Sequence, residues 1–151
     1  MAVRPAPTDT NMSYTELNAL YTHVLSGVPL HKVEKALDIL SLVLTIDPIL
    51  GAIAIEGTSI PEWKRTSCMV SLLLSLQMGD IEDYLANLSS LVQVERLPST
   101  HRYQIRFLHV SLGDFLLDPT RSHKFYCNPE RIITKLVEVC IQHLNAGGML
   151  C

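Results

Sequence analysis

The sequence predicts a mainly helical fold with one β-hairpin set late in the chain. Two observations carry that expectation. Apolar residues return three and four positions apart, the spacing of a helix face, through most of the 151 residues. Against that background, Leu91 to Glu95 and Tyr103 to His109 are rich in β-branched or aromatic residues, with Leu97-Pro-Ser-Thr-His101 between them as a loop.

Taken in order, Met1 to Met12 holds Pro5, Pro7 and Asn11 without apolar periodicity and reads as a loose lead-in. Ser13 and Glu16 then have the spacing of a capping box, in which a hydroxyl and a carboxylate each satisfy an N–H at a helix start. Leu17, Leu20, Tyr21 and Val24 give that first helix its apolar stripe, and Gly27 ends it. Pro29 suits the first turn of a second helix, where its missing N–H would have had no partner anyway. The stripe Val33, Ala36, Leu37, Leu40, Val43 and Leu44 is expected to run until Asp47-Pro48 stops it. Residues 49–58 are apolar and small, and fit either an extension of that helix or a buried strand.

Ser59-Ile-Pro-Glu62 repeats the capping spacing and opens a third helix, through Trp63 and Met69 to Leu76, closed by Gly79. Asp80 is the expected N-cap of the next, which runs to about Leu91 with Ile81, Tyr84, Leu85, Leu88 and Leu91 on one face. Helices followed by a hairpin make the winged-helix arrangement, a relative of helix-turn-helix with flanking helices. Beyond the hairpin, Ser111 and Asp114 again have capping spacing, ahead of Phe115-Leu-Leu117. Asp118-Pro119 breaks that helix, and Lys124-Phe-Tyr126 reads as a short extended piece. Asn128-Pro-Glu130 starts a last helix carrying Ile133, Leu136, Val137, Cys140, Ile141 and Leu144, with Ala146-Gly-Gly148 as its end. The chain thus divides into a lead-in over 1–12, a body over 13–127, and a final helix over 128–151 that could open a following helical region.

Composition narrows the class. With 48% apolar and 18% charged residues the chain buries a core, yet its surface is sparsely charged, so part of its apolar area has room for a partner. A net charge of −3 gives no general pull toward nucleic acid or an anionic membrane. Cys68, Cys127, Cys140 and Cys151 are scattered without a CxxC pair, as expected of free thiols in a reducing compartment, so a cytoplasmic location is expected. The apolar runs Pro48 to Ile55 and Cys68 to Met78 are shorter than the ~18 residues of a membrane span, and Met1-Ala-Val-Arg-Pro-Ala-Pro lacks the apolar core of a signal peptide.

The junction at Ile105 to Asp118 holds the one polar constellation that invites chemistry. A helix beginning at Ser111 would set its unpaired N–H groups and positive dipole end beside the His109 imidazole, an arrangement suited to a phosphate. The competing reading makes His109 a core histidine at a strand end, its ring nitrogens satisfied by neighbours. Asp114 serves first as a helix cap. Arg121 and Lys124 fit a solvated surface better than an anion contact, and Trp63 fits a core face or an exposed anchor equally well.

Catalytic signals are missing from the sequence. His109, Ser111 and Asp114 are the residue types of a hydrolytic triad but stand too close along one turn to converge. Neither a phosphate loop of the Gly-x-x-x-x-Gly-Lys-Ser/Thr type nor a Cys/His metal spacing occurs, so no catalytic residue, no metal and no turnover are expected of the isolated chain. The helix that would enter a DNA groove carries Asp80, Glu82 and Asp83 without a Lys or Arg, and only Arg96, His101 and Arg102 stand near the wing.

Phe107-Leu-His-Val-Ser-Leu-Gly-Asp-Phe-Leu116 resembles the aromatic-x-His-x-Ser-x-x-Asp/Glu-Phe element of the winged-helix domain that follows the nucleotide-binding core in NACHT-type STAND NTPases. The likeness continues through Leu117-Asp-Pro-Thr-Arg-Ser-His-Lys-Phe-Tyr126, similar to the LDPSRSGKFY ending of the fungal, basidiomycete-type branch. Glu16-Leu-Asn-Ala-Leu-Tyr21, Gly79-Asp-Ile-Glu-Asp-Tyr-Leu85 and Leu88-Ser-Ser-Leu-Val92 resemble its LDxLY and GDVxxxLxxLHSLL segments, so the likeness spans Ser13 to Asn145. The resemblance implies a non-catalytic lid and signal transmitter in a nucleotide switch. It implies that His109 contacts the β-phosphate of ADP, with Ser111 at the adjacent helix end, when a NACHT core in cis or in trans supplies ADP or ATP with Mg. The alternatives are a standalone protein-interaction module without a ligand and, third, a DNA-binding winged helix.

Overall fold

The structure is a computed structural model that describes the backbone of residues 10–53, 70, 74–77, 79–97 and 102–147. It is mainly helical, with a single two-stranded antiparallel sheet among the described residues. In chain order these are α1 (Thr10–Ser26), α2 (Leu30–Ile53), α3 (Asp80–Leu85), β1 (Val92–Leu97), β2 (Arg102–Phe107), α4 (Val110–Leu117), α5 (Pro119–Ser122) and α6 (Pro129–Asn145). Short 3-10 turns follow α3 at Ala86–Leu88 and α5 at His123–Phe125.

Helix α2 is the centre. Its residues Ala36, Ile39, Leu40, Leu42, Val43 and Ile46 are all buried, and they meet Tyr21 and Leu25 of α1, Leu112, Phe115 and Leu116 of α4, and Ile132 of α6 in one cluster. Burial on more than one side follows from apolar residues placed nearly all round the helix. Gly113 lets α4 sit close against α2: a Cβ there would stand 3.1 Å from Leu44 Cδ2.

Several expected boundaries move. Helix α1 starts at Thr10, so Ser13 lies inside its first turn and the lead-in loses its last three residues to the helix. Asp47-Pro48 does not stop α2, which continues to Ile53. A proline removes one hydrogen bond to the preceding turn but does not forbid continuation. Helix extension is therefore the reading that holds as far as Ile53. Of the expected third helix, Ser59 to Leu76, residues 59–69 and Trp63 with them lie outside the described residues; Val70 and Leu74 are helical and buried, and Ser75 turns the chain with a φ of 51°, ending the helix before Leu76.

Gly79, at a φ of 93°, takes the N-cap position expected of Asp80. The Asp80 carboxylate instead reaches back to accept from the Gln77 N–H at 2.8 Å. Helix α3 is shorter than expected, because the 3-10 turn takes over at Ala86, yet Ile81, Leu85, Leu88 and Leu91 are buried as their spacing predicts.

The hairpin pairs Val92 with Phe107 and Leu97 with Arg102. Tyr103 and Val92 are buried, Val94, Ile105 and Phe107 pack against the core, and Gln93, Glu95 and Arg106 face out, the alternation of a half-buried sheet. The Gly79 N–H donates to the Tyr103 hydroxyl at 2.9 Å, fastening β2 to the start of α3.

Past the hairpin, Asp118 caps α5, its Oδ1 accepting from Thr120 N at 2.9 Å and Thr120 Oγ1 at 2.7 Å. This corrects the extended reading of Lys124-Phe-Tyr126: His123–Phe125 is a 3-10 turn, wound down so that Phe125 enters the core. Asn128 caps α6 as expected, accepting from Glu130 N at 2.9 Å.

Candidate functional site

The predicted site lies where β2 ends and α4 begins. Strand pairing stops at Phe107, Leu108 bends while its N–H still donates to Leu91 O at 2.9 Å, and His109 in extended backbone becomes the N-cap of α4. The helix starts at Val110, one residue before the expected Ser111. No side chain caps it, so the Ser111–Asp114 capping box does not form.

The reason is a competing partner. Ser111 Oγ lies 2.7 Å from the buried Tyr21 hydroxyl of α1, ninety residues away in sequence. A buried phenol needs a hydrogen bond more than a helix end exposed to water does.

His109 is exposed, which removes the core-histidine alternative. One side of its ring faces Tyr21, with centroids 6.5 Å apart and planes tilted by 46°. Tyr21 in turn packs on Phe115 at 5.4 Å. The imidazole is thereby set on a fixed aromatic platform at the positive end of α4, with Leu108 and Val110 flanking it at 47% and 90% exposure. Ser111 and His109 are thus brought to the same corner, joined through Tyr21. The Ser111 hydroxyl is turned toward α1 and engaged by Tyr21.

Tyr21 is the residue sequence reasoning left out of the site. It sat on an apolar stripe as core, and the only available signal was its hydroxyl, which a fully buried position must satisfy.

Arg121 departs from the solvated-surface reading. Its Nε and Nη2 donate to Asn18 Oδ1 at 3.3 and 2.8 Å, and its guanidinium lies 5.5 Å from the Tyr14 ring centre, so it clamps α5 to α1. Lys124 is exposed and lies over the Phe125 ring at 4.8 Å. Asp114 is exposed, with its cap role unfilled.

Around the site, burial pushes the Tyr103 hydroxyl above its ordinary value, and the neighbouring Glu82 carboxylate adds to the shift. The Thr120 hydroxyl, hydrogen-bonded to Asp118, holds that carboxyl below its ordinary value. Among the described residues no group of three or more His, Cys, Asp or Glu is placed to hold a metal ion. No described helix is long and apolar enough to cross a membrane.

What fold and site define together is a helical domain presenting one histidine on an aromatic platform at a strand-to-helix corner. No family model, curated protein or solved structure matches the chain.

Proposed function

We propose that this chain is a winged-helix regulatory module of a NACHT/STAND-type nucleotide switch, acting without catalysis as lid and signal transmitter. His109 contacts the β-phosphate of ADP held chiefly by a nucleotide-binding core, and the backbone N–H of Ser111 adds a weaker helix-end contact. The observation that carries this reading is the exposure of His109 at the start of α4, with its ring backed by Tyr21. A donor in that place can reach a phosphate on a neighbouring domain without unfolding anything. A contact made in one domain arrangement and lost in another gives the nucleotide unequal affinity for the two, which is what shifts a switch. The order of helices followed by a hairpin supports the winged-helix assignment.

The test combines the chain with a NACHT-type core and follows release of labelled ADP. Loss of a hydrogen bond to a charged group is worth about 1.5–3 kcal/mol, so His109→Ala should release ADP roughly tenfold faster or more. Equal retention by the two proteins sinks the sensor role.

A second reading, an interaction module without a ligand, is favoured by one feature. Ile133, Val137, Ile141 and Leu144 form a stripe along α6 that is 41–70% exposed. DNA binding is disfavoured by Asp80, Glu82 and Asp83 on α3, one of which already pairs with Lys32 at 2.7 Å.

A further inference from the structure

Helix α6 carries more apolar surface than α2 covers. Ile132 is buried, and Leu136 and Val139 pack partly against the core, so that arc of the helix is spent on the fold. A second arc, formed by Ile133, Val137, Ile141 and Leu144, repeats at helical spacing and is left 41%, 50%, 52% and 70% exposed. Apolar residues scattered singly over a surface are ordinary. Four in line on one helix face make a contiguous patch.

Charge and size decide what fits the patch. The lysine and arginine of α6 are both committed to α2: Lys135 Nζ lies 3.0 Å from Asp38, and Arg131 lies 3.2 Å from Glu34 and 3.5 Å from Asp38. The two acids of the helix, Glu130 and Glu138, are exposed, and among the described residues neither has an ion-pair partner. Glu130 suits the positive end of its own helix. Glu138 stands mid-helix, one turn before Ile141, and Lys135 one turn before it reaches the other way to Asp38. Two copies of the chain paired along the stripe would set their Glu138 carboxylates at the same level, because Glu138 lies at its midpoint; like charges there oppose self-association. From Ile133 to Leu144 the stripe is about 17 Å long. Four side chains over that length fall well short of the ~800 Å² per partner of a standard interface between domains, and match the footprint of one short helix.

We propose that this face of α6 binds an amphipathic helix of a partner protein, one whose apolar stripe is edged by lysine or arginine. The partner's apolar side chains cover Ile133, Val137, Ile141 and Leu144, and its cations meet Glu138 and, at the N-terminal end, Glu130. Apolar contact supplies the affinity, and the acidic edge supplies the choice of partner and its direction along the helix. This rests on the interaction reading of the stripe and not on the nucleotide reading. The face shares no residue with the corner at His109, so loss of helix binding and loss of ADP retention are separate results.

The full chain is titrated into three fluorescein-labelled helical peptides of equal length: a leucine stripe edged by lysine, the same stripe edged by glutamate, and the lysine peptide in scrambled order. Anisotropy should saturate with the lysine-edged peptide, binding it roughly tenfold tighter than the glutamate-edged one at low salt, and the gap should narrow in about 0.5 M sodium chloride. Ile141→Glu should weaken that binding roughly tenfold, and Glu138→Lys should abolish the preference for lysine. Both changes fall on exposed side chains and should leave the melting temperature unchanged. No saturation, equal affinity for the two edges, saturation by the scrambled peptide, or a preference that survives Glu138→Lys overturns the proposal. Two further outcomes also overturn it. A dimer in sedimentation that Ile141→Glu dissolves assigns the stripe to a second copy, and partition into phosphatidylcholine vesicles that the same variant abolishes assigns it to a lipid surface.

Discussion

Cys127 shows how a single residue acquires its properties from what surrounds it. Burial pushes its thiol from 9.0 up to about 12, and the nearby Asp38 charge pushes the same way. Its Sγ is held close to Leu37 O at 3.7 Å. A thiol whose folded value is raised contributes stability that is complete below its unfolded value and declines as pH climbs toward the folded one. Melting temperature should therefore fall between pH 9 and about 12, with Tyr103, also raised, steepening the upper part. In Cys127→Ala that fall should be shallower, whatever the starting stability; an identical slope would show that the thiol is not responsible. Tyr21 makes the complementary case, since its ring and its hydroxyl do separate jobs. Tyr21→Phe keeps the packing on Phe115 and strips the partner from Ser111. A loss of about 0.5–1.5 kcal/mol is expected in denaturant unfolding, and none would mean that water replaces the bond without cost.

At the scale of the element, α6 divides its apolar residues between two uses. Ile132 is buried against α2, whereas Ile133, one position on and turned by a helical step, is 41% exposed. Truncating each therefore gives a sharp contrast. Ile132→Ala should cost about 2–5 kcal/mol as a cavity opens in the core, and Ile133→Ala should change stability by less than about 1 kcal/mol. Comparable losses would place the second residue in the core as well. The sequence marked the stripe from Ile133 to Leu144 and the cap at Asn128, but it passed over Ile132 as an anchor. Helical spacing fixes which residues share a face; it does not say which of two adjoining faces meets a neighbour.

For the molecule as a whole, the docking of α6 on α2 is oriented by charge. Asp38, 5% exposed, accepts from Lys135 Nζ at 3.0 Å, with Arg131 3.5 Å away and shared with Glu34. Removing one partner of a fully buried pair costs about 3–5 kcal/mol. Lys135 is a third exposed and Arg131 remains, so Lys135→Met should cost less, about 1–2 kcal/mol. Urea denaturation measures it, and a gain in stability would mean that desolvating Lys135 outweighs its attraction to Asp38. The His109 side chain is exposed and its ring contact is with Tyr21, so His109→Ala should change folding stability by less than about 1 kcal/mol, and a tenfold defect in nucleotide retention with the fold intact reports on function.

Local chemistry settled much by itself: the helical character, the hairpin and its outward alternation, the Asn128 cap, and the burial of Ile81, Leu85, Leu88 and Leu91. Each of these depends on residues a few positions apart, whose preferences one stretch of chain can express alone. Tertiary structure decided the rest. Pro48 is carried inside α2, Gly79 displaces Asp80 from the cap, Ser111 leaves its own helix end for Tyr21, and His109 faces solvent. In the last two, polar groups are satisfied or left open by elements distant in sequence, and a linear reading holds no distance between residues ninety apart.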